Sequence, residues 1–509
     1  MINTVSNRRE FLQQCAMAAG ALPFSGKIFA QAKPKKPNIL FFLVDDMGWM
    51  DNSLYGSQYY ETPNLKRLAQ RGMMFTNAYA ANPLCSPTRA SILTGKFPAR
   101  LKITAPAGHL KPMPNQPLLK DQGPPWQKIV WPRSKRFLPL AEFTLAEALK
   151  EVGYQTTFIG KWHLGHEAWW PKKQGFDINI AGGQYPGPPS YFSPYKIKTL
   201  PDGPKGEYLT DRLTDEAVKY LQRDRRDPFF LCFWHYAVHA PFQAKEEITR
   251  KYRQKKDPRG KQKCPIMGSM LQSMDESLGR ILDTLDELKL ANDTMIIFTS
   301  DNGGNMYSDV EGQTPTNNYP LRGGKATIYE GGTREPTVIV WPGVVKPNSS
   351  CDEVITSIDY YPTILDMLNL KPKPQQQFDG ISIVPLLNGT SKLDREAIFC
   401  HFPHMTPATG NWPCVYVHRG DWKLIRFFHA ADDDKHRYEL YNLAEDISES
   451  NNLAAKLPEK VKQLDALIEQ HLKDTGALVP KLNPRYDPNA KPPPRQKRPR
   501  KKPAGGKKN

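Results

Sequence analysis

Four short apolar runs in this chain end abruptly on polar residues, and that pattern constrains the fold more than any other feature. "NILFFLV" (Asn38–Val44) runs into Asp45 and Asp46, and "QTTFIG" (Gln155–Gly160) into Lys161, Trp162 and His163. "FFLCFW" (Phe229–Trp234) runs into His235 and, a few residues on, His239; "MIIFTS" (295–300) runs into Asp301 and Asn302. Each run is short and rich in β-branched or aromatic residues, which predicts strands, and helical patterns lie between them. One such helix is punctuated at both ends. In "FTLAEALKEVGY", Thr144 and Glu147 form a capping box, Leu145, Ala148, Leu149 and Val152 an apolar face, and Gly153 a stop. The alternation predicts an α/β fold with a large, mostly parallel sheet sandwiched by helices. Ligands of such sheets bind beyond the carboxyl ends of the strands, so the four polar clusters are expected to face one site.

The residue types at those ends define a chemistry. Asp45, Asp46, Asp301 and Asn302 are hard oxygen donors with no Cys or His at zinc spacing beside them, which suits Ca²⁺ or Mg²⁺. Adjacent carboxylates at a strand end repel one another unless a cation lies between them. Arg89, Lys161 and Lys325, with His163 and His239, add positive charge and a proton shuttle, a combination that stabilises a transferring sulfuryl or phosphoryl group. His235 and Trp162 are assigned to packing.

Cys85, in "NPLCSPTRAS", is isolated from other cysteines. Ser86 is a candidate N-cap and Pro87 a first helical residue, with Gly95 as the stop. A thiol just before a helix N-terminus is expected to have a lowered pKa and to act as a nucleophile. A thiolate beside a hard, oxygen-coordinated cation is nevertheless a poor match. The residues alone leave that tension open.

Both chain ends carry information of another kind. "NRREFLQQCAMAAGALPFSGKIFAQA" holds paired Arg8 and Arg9, an apolar middle and an Ala30-Gln31-Ala32 cleavage site. It resembles the twin-arginine export signal of bacteria, placing a signal peptide at residues 1–32 and an exported, periplasmic or extracellular protein, with export machinery as a partner. The alternative is an ordinary N-terminal helix; a lipid anchor on Cys15 is disfavoured by Gln14. Residues 476–509 are expected to be a disordered basic tail, rich in Pro and Lys, whose nine Lys or Arg from Lys491 onward supply half of the net charge of +18. The overall charge therefore reports mostly a tail, and nucleic acid is not the expected partner. No run of eighteen apolar residues suggests a transmembrane segment, and mean hydropathy is -0.59. Beyond the signal, six scattered cysteines fit neither a zinc ribbon nor a dense disulfide scaffold; Cys400 and Cys414 are the closest pair in sequence.

Several blocks together resemble the formylglycine-dependent sulfatases of the alkaline-phosphatase superfamily. "CSPTR" fits C-x-P-x-R, whose cysteine is oxidised to formylglycine in that family, and "GKWHLG" fits the second signature. "LVDDMG", "VHAPF", "TSDNGG" and "LRGGKATIYEGGTREP" follow the family's order, and "ELYNLAEDISESNNLA" its C-terminal segment. The resemblance implies a Ca²⁺ held by Asp45, Asp46, Asp301, Asn302 and the modified Cys85. It implies that Arg89 steadies the formylglycine hydrate, that Lys161 and Lys325 bind sulfate oxygens, that His163 orients or deprotonates the hydroxyl, and that His239, shared with Lys325, protonates the leaving group. Two hydroxyls on one carbon would replace the thiolate with hard oxygens, one attacking sulfur and the other expelling sulfate.

The implied protein is a sulfuric ester hydrolase acting on a sulfated polysaccharide or oligosaccharide, matured by a formylglycine-generating enzyme. Alternatives are a phosphonate or phosphate ester hydrolase on the same fold and a non-catalytic binder of sulfated glycan. A catalytic domain is expected at residues 37–388 and a smaller α+β subdomain at 389–475, where "PCVYVHRGDWKLIRFF" reads as strands and 459–472 as a helix. The Pro-rich residues 101–140 show no helix or strand pattern and fit either a substrate-facing loop or a packed insertion. His401, His404, Trp169 and Trp170 are candidates for a sugar subsite, with packing as the other reading.

Overall fold

The computed structural model describes residues 36–493 apart from Ser391. The expected signal peptide, the last residues of the basic tail and Cys15 lie outside these described residues. Contacts gather the described residues from Pro37 to 493 into one compact unit.

The four runs become neighbouring strands of an eight-stranded sheet. Its strands are β1 (Asn38–Val44), β2 (Met73–Phe75), β3 (Gln155–Gly160), β4 (Ile178–Ile180), β5 (Phe229–Trp234), β6 (Thr294–Ser300), β7 (Thr337–Val340) and β8 (Ser349–Cys351), in the order β8-β2-β7-β6-β1-β5-β3-β4. All pairings are parallel except those of β7, which runs antiparallel to both β2 and β6. Val44, Gly160, Trp234 and Ser300 therefore end on one edge of the sheet.

Side-chain alternation explains why these strands read as continuous apolar runs. Leu40, Phe42 and Val44 of β1 join one hydrophobic cluster while Ile39, Phe41 and Leu43 join another, and β5 divides its residues in the same way. Helices α3 (Leu209–Leu221) and α4 (Pro265–Glu287) cover the first face. Helices α1 (Cys85–Thr94), α2 (Leu145–Glu151) and α5 (Tyr360–Met367) cover the second. Burying one Leu, Ile or Phe contributes about 1.5–3 kcal/mol, so a sheet buried on both faces stiffens the edge that carries the site. The expected capping box of α2 is present, with Thr144 Oγ1 accepting from Glu147 N and Glu147 Oε2 from Thr144 N.

A four-stranded antiparallel sheet, β9 (Ile398–Phe402), β10 (Cys414–Arg419), β11 (Trp422–Phe427) and β12 (Arg437–Asn442), follows. One face places Phe402, Tyr416 and Ile425 against Leu84, Ala326 and Ile328; the other receives Leu464, Ile468 and Leu472 of helix α6 (Pro458–Asp474).

Two expectations need correction. Residues 476–493 do not behave as a loose tail: Ala477 and Val479 pack on the α6 core, and Lys481–Leu482 pairs antiparallel with Ile129–Val130. Residues 101–140 thus contain a short strand, invisible in the sequence because its partner lies some 350 residues away. Cys400 lies opposite Tyr416 and Cys414 opposite Phe402, so the two are diagonal in the sheet; the six cysteines among the described residues are free thiols.

Candidate active site

The strand ends carry their sheet-like bonding past the last apolar residue, and this fixes the polar side chains. Asp45 N donates to Ala237 O at 2.9 Å and Val238 N to Asp45 O at 2.7 Å; Lys161 N donates to Trp234 O at 2.7 Å and Asp301 N to Val44 O at 3.2 Å. The turn into Lys161 needs Gly160, which has φ of 111° and whose absent Cβ would lie 1.9 Å from Trp234 O. Asp46 and His163 adopt φ values of 60° and 57°, left-handed conformations that non-glycine residues hold only when their surroundings compel it.

Three carboxylates and three cations meet here, all buried. Lys161 Nζ donates to Asp45 Oδ2 at 2.5 Å and Lys325 Nζ to Asp46 Oδ2 at 2.6 Å. Arg89 Nε donates to Asp301 Oδ2 at 2.8 Å and Nη1 to Lys161 O at 2.6 Å. Asn302 Nδ2 donates to Asp46 Oδ1 at 2.8 Å. Two oxygens, Asp45 Oδ1 and Asn302 Oδ1, are left without a hydrogen-bond partner. Buried acceptors of this kind cost free energy unless something binds them. Four oxygen-bearing side chains, two of them with an acceptor free of hydrogen bonds, fit a hard divalent cation. Asp45, Cys85 and Asp301 place one ligand atom each within 4.8 Å of one another, as do Asp46, Cys85 and His239. The three acids formally balance the three bases.

Cys85 opens α1 rather than preceding it. The helix begins two residues earlier than expected, with Leu84 as its N-cap; Ser86 Oγ donates to His163 O at 2.8 Å instead of capping. Gly95 closes the helix at φ of 67°, as expected. The expected lowering of the thiol pKa is also corrected: burial pushes Cys85 up, and Lys161 and Lys325 only partly oppose it. A thiol held protonated is a poor nucleophile, which agrees with the chemical mismatch noted from the sequence.

Burial raises Asp45 well above the usual carboxylate range against the pull of Lys161, while Asp46, although buried, is held low by Lys325 and His239. Asp46 in turn holds the Lys325 ammonium high despite burial. Burial pushes both His163 and His239 well down, reinforced by Lys161 for the first and Lys325 for the second. His239 Nδ1 faces Ala240 O at 2.7 Å, a contact that assigns the proton to Nδ1 and leaves Nε2 facing Asp46 Oδ2 at 3.6 Å.

A cleft of about 420 Å³ opens over these groups, lined by Cys85, His163, His239 and Lys325. All predicted catalytic and metal-binding residues are thus brought together, some at the cleft and the others directly behind it. His404 also lines the cleft and meets Thr104 Oγ1 through Nε2 at 2.7 Å. The other subsite candidates do not reach it: His401 Nε2 meets Leu478 O, Trp169 stacks on Phe137, and Trp170 lies under Lys198. His235, assigned to packing, is buried with Nε2 3.0 Å from Ser277 Oγ.

Sequence reasoning missed His109, Trp131 and Tyr307, which line the same cleft. His109 Nδ1 lies 3.2 Å from His163 Nε2, and the close approach passes Gly108, whose absent Cβ would lie 2.0 Å from His163 O. None of the three sits in a periodic segment, and Gly108 in "PAGHL" was the one available signal.

Comparison with known proteins gives a consistent picture. Residues 37–370 match the family described as Sulfatase, and residues 324–477 that described as N-sulphoglucosamine sulphohydrolase, C-terminal. The chain is 31% identical over 506 residues to human N-acetylgalactosamine-6-sulfatase, covering 89% of each. It is 32% identical over 516 residues to a sulfatase of Formosa agariphila, covering 87% of this chain and 89% of that one. The crystal structure of Ps i-CgsB superposes with a TM-score of 0.70 at 26% identity, over 87% of this chain and 94% of that chain.

Proposed function

Since the chain belongs to the sulfatase family, and is therefore a sulfuric ester hydrolase, we propose that it removes sulfate from a saccharide of the glycosaminoglycan or algal-polysaccharide kind, using a formylglycine made from Cys85 and a bound Ca²⁺. The relatives support the substrate class: one is named for N-acetylgalactosamine 6-sulfate, and Ps i-CgsB has been crystallised with a neocarrahexaose. The observation that carries the reading is the pair of buried, unpartnered oxygens, Asp45 Oδ1 and Asn302 Oδ1, facing a site that also holds Cys85.

Asp45, Asp46, Asp301 and Asn302 would hold the cation, with residue 85 as a further ligand. When present, the cation supplies positive charge to oxygens at the reacting centre, and the hydrated aldehyde supplies a hard oxygen nucleophile with a second hydroxyl for releasing sulfate. Arg89, pinned between Asp301 and the Lys161 carbonyl, is a fixed guanidinium that steadies residue 85. Lys161 and Lys325 bind sulfate oxygens. His163 has Nε2 on His109 and an unpartnered Nδ1, the atom suited to take the proton from residue 85. His239 Nε2 and Lys325 Nζ both face Asp46 Oδ2; Lys325, held charged by Asp46, is placed to deliver the proton to the departing sugar oxygen, and His239 shares that role only after Nε2 takes up a proton.

Export through the twin-arginine route and action on a polysaccharide outside the cytoplasm complete the proposal, supported by Arg8, Arg9 and the Ala30-Gln31-Ala32 site; among the described residues no helix is long and apolar enough to cross a membrane. The domain boundary near residue 388 is retained as part of the same proposal. The test is sulfate release from 4-nitrophenyl sulfate and from sulfated disaccharides, set against phosphorus-ester release from phenyl phosphonate, before and after chelation. Sulfate release that falls on chelation and returns with Ca²⁺ supports the reading. Preference for the phosphonate, or indifference to chelation, contradicts it.

A further inference from the structure

The chain beyond α6 passes the end of the matched C-terminal family region at residue 477 and returns towards the cleft. Its central residue is Asn483, buried, whose side chain uses all of its main hydrogen-bonding directions on one loop. Nδ2 donates to Pro124 O and to Gln127 O, both at 2.8 Å, and Oδ1 accepts from Gly123 N at 3.0 Å. Asn483 N donates to Lys128 O at 2.9 Å and Asp487 N to Pro125 O at 2.9 Å. Next along the loop, Lys481–Leu482 pairs with Ile129–Val130, and the following residue is Trp131, which lines the cleft.

The same segment also holds the opposite wall. Leu478 O accepts from or faces His401 Nε2 at 3.1 Å, and His401 is followed by Phe402 and His404, both cleft-lining. Lys102 Nζ donates to Thr475 O at 3.0 Å, just before the segment starts. One short stretch therefore ties together two walls, at Trp131 and at Phe402, that lie far apart in the chain. Neither wall touches the cation site. What they offer is an indole, Phe402, Met405 and Pro106 over a cleft whose floor is charged. That is a surface for the apolar face of a pyranose ring, with the sulfate directed down to the lysines.

We propose that residues 477–487 form a clasp that sets the saccharide specificity of the enzyme, with Asn483 as a positioning residue acting through Trp131. This rests on the sulfatase reading and adds to it that a saccharide is gripped above the sulfate by Trp131. An aryl sulfate too small to reach that wall does not need the clasp.

The experiment uses full-length enzyme, 4-nitrophenyl sulfate, and whichever sulfated saccharide from a chondroitin, heparin and carrageenan panel is turned over best. Asn483→Ala and Trp131→Ala are each expected to raise the saccharide KM about tenfold, the size of losing one positioned aromatic contact. For 4-nitrophenyl sulfate kcat/KM should stay within about twofold, and the double variant should be no worse than Trp131→Ala alone. If Asn483→Ala does not fold, Asn483→Asp tests the same point, because it keeps Oδ1 and removes both donors. An unchanged saccharide KM, equal losses on both substrates, or additive effects in the double variant would overturn the clasp. Wild-type enzyme that cleaves the aryl sulfate but no saccharide would count against it too. Wild-type enzyme that releases sulfate from nothing would instead overturn the sulfatase reading.

Discussion

Two buried clusters of acids and bases lie on either side of the segment that carries Lys325, and they solve the same electrostatic problem differently. In the cleft, Asp45, Asp46 and Asp301 face Arg89, Lys161 and Lys325, yet Asp45 Oδ1 and Asn302 Oδ1 remain open. Between the two sheets, Lys423 lies between Glu330 at 2.8 Å and Glu449 at 2.9 Å, with Arg334 Nη1 3.5 Å from Glu330 Oε2, while Tyr79 OH donates to Glu330 Oε2 and Glu330 N to Glu449 Oε2. In the second cluster each carboxylate oxygen meets a protein donor, although Tyr79 and Arg334 also line a cavity of about 660 Å³. The first is balanced in charge but not in hydrogen bonds, and it opens to a cavity. Buried charge by itself thus says little about function; open lone pairs beside a cleft say more.

The contrast is sharpest when each cluster loses its central group. Cys85→Ala is expected to lower sulfate release by about 10⁴-fold or more, the scale of removing a nucleophile, with the melting temperature little changed. Lys423→Met leaves two buried carboxyls uncompensated and should cost about 3–5 kcal/mol in denaturant unfolding, while the folded fraction keeps its kcat. Lys161→Ala, which removes a charge aimed at the sulfate, should lower kcat by about 10²–10³-fold in steady-state assays. Survival of full activity in that variant would mean that Lys161 serves the fold, as Lys423 does.

The smallest effect concerns pH. Burial pushes Glu449 up to about 7, with Lys423 opposing and Glu330 reinforcing, whereas Glu330, also buried, is drawn down to about 2 by Lys423. A carboxyl whose folded pKa lies above its unfolded value binds more protons in the folded state, so its contribution is favourable at low pH and is lost as pH rises from about 4.5 through about 7. Glu449→Gln should therefore flatten the stability profile in that window and stabilise the protein by about 1 kcal/mol above it, read from unfolding curves at pH 5 and pH 8. Glu330 acts in the opposite sense, its contribution being lost as pH falls from about 4.5 towards 2.

Most of the cleft cluster was legible in the sequence because Asp45, Asp46, Lys161, Asp301 and Asn302 each follow a short apolar run, and a parallel sheet brings such ends to one edge; Arg89 and Lys325 come from a helix and a loop. The start of α1 was misplaced by two residues because Ser86 spends its hydroxyl on His163 O, a tertiary bond that local capping rules cannot anticipate. The thiol direction failed because burial penalises the thiolate by more than the neighbouring positive groups favour it, and Cys85 is 2% exposed. The wall made by Trp131 and Asn483 left no pattern, since a two-residue strand has no periodicity and Asn483 reads as an ordinary turn residue. The Lys423 triad was missed likewise, as its members come from three separate segments with no shared motif.

The account turns on residue 85 working as an oxygen nucleophile and not as a thiol. Peptide mass spectrometry of fully active enzyme, with an aldehyde-trapping reagent, tests this directly. The expected result is an aldehyde at position 85 in a fraction that matches the active fraction, and Cys264, Cys400 and Cys414 as intact thiols. Full sulfatase activity with an unmodified Cys85 thiol would contradict it.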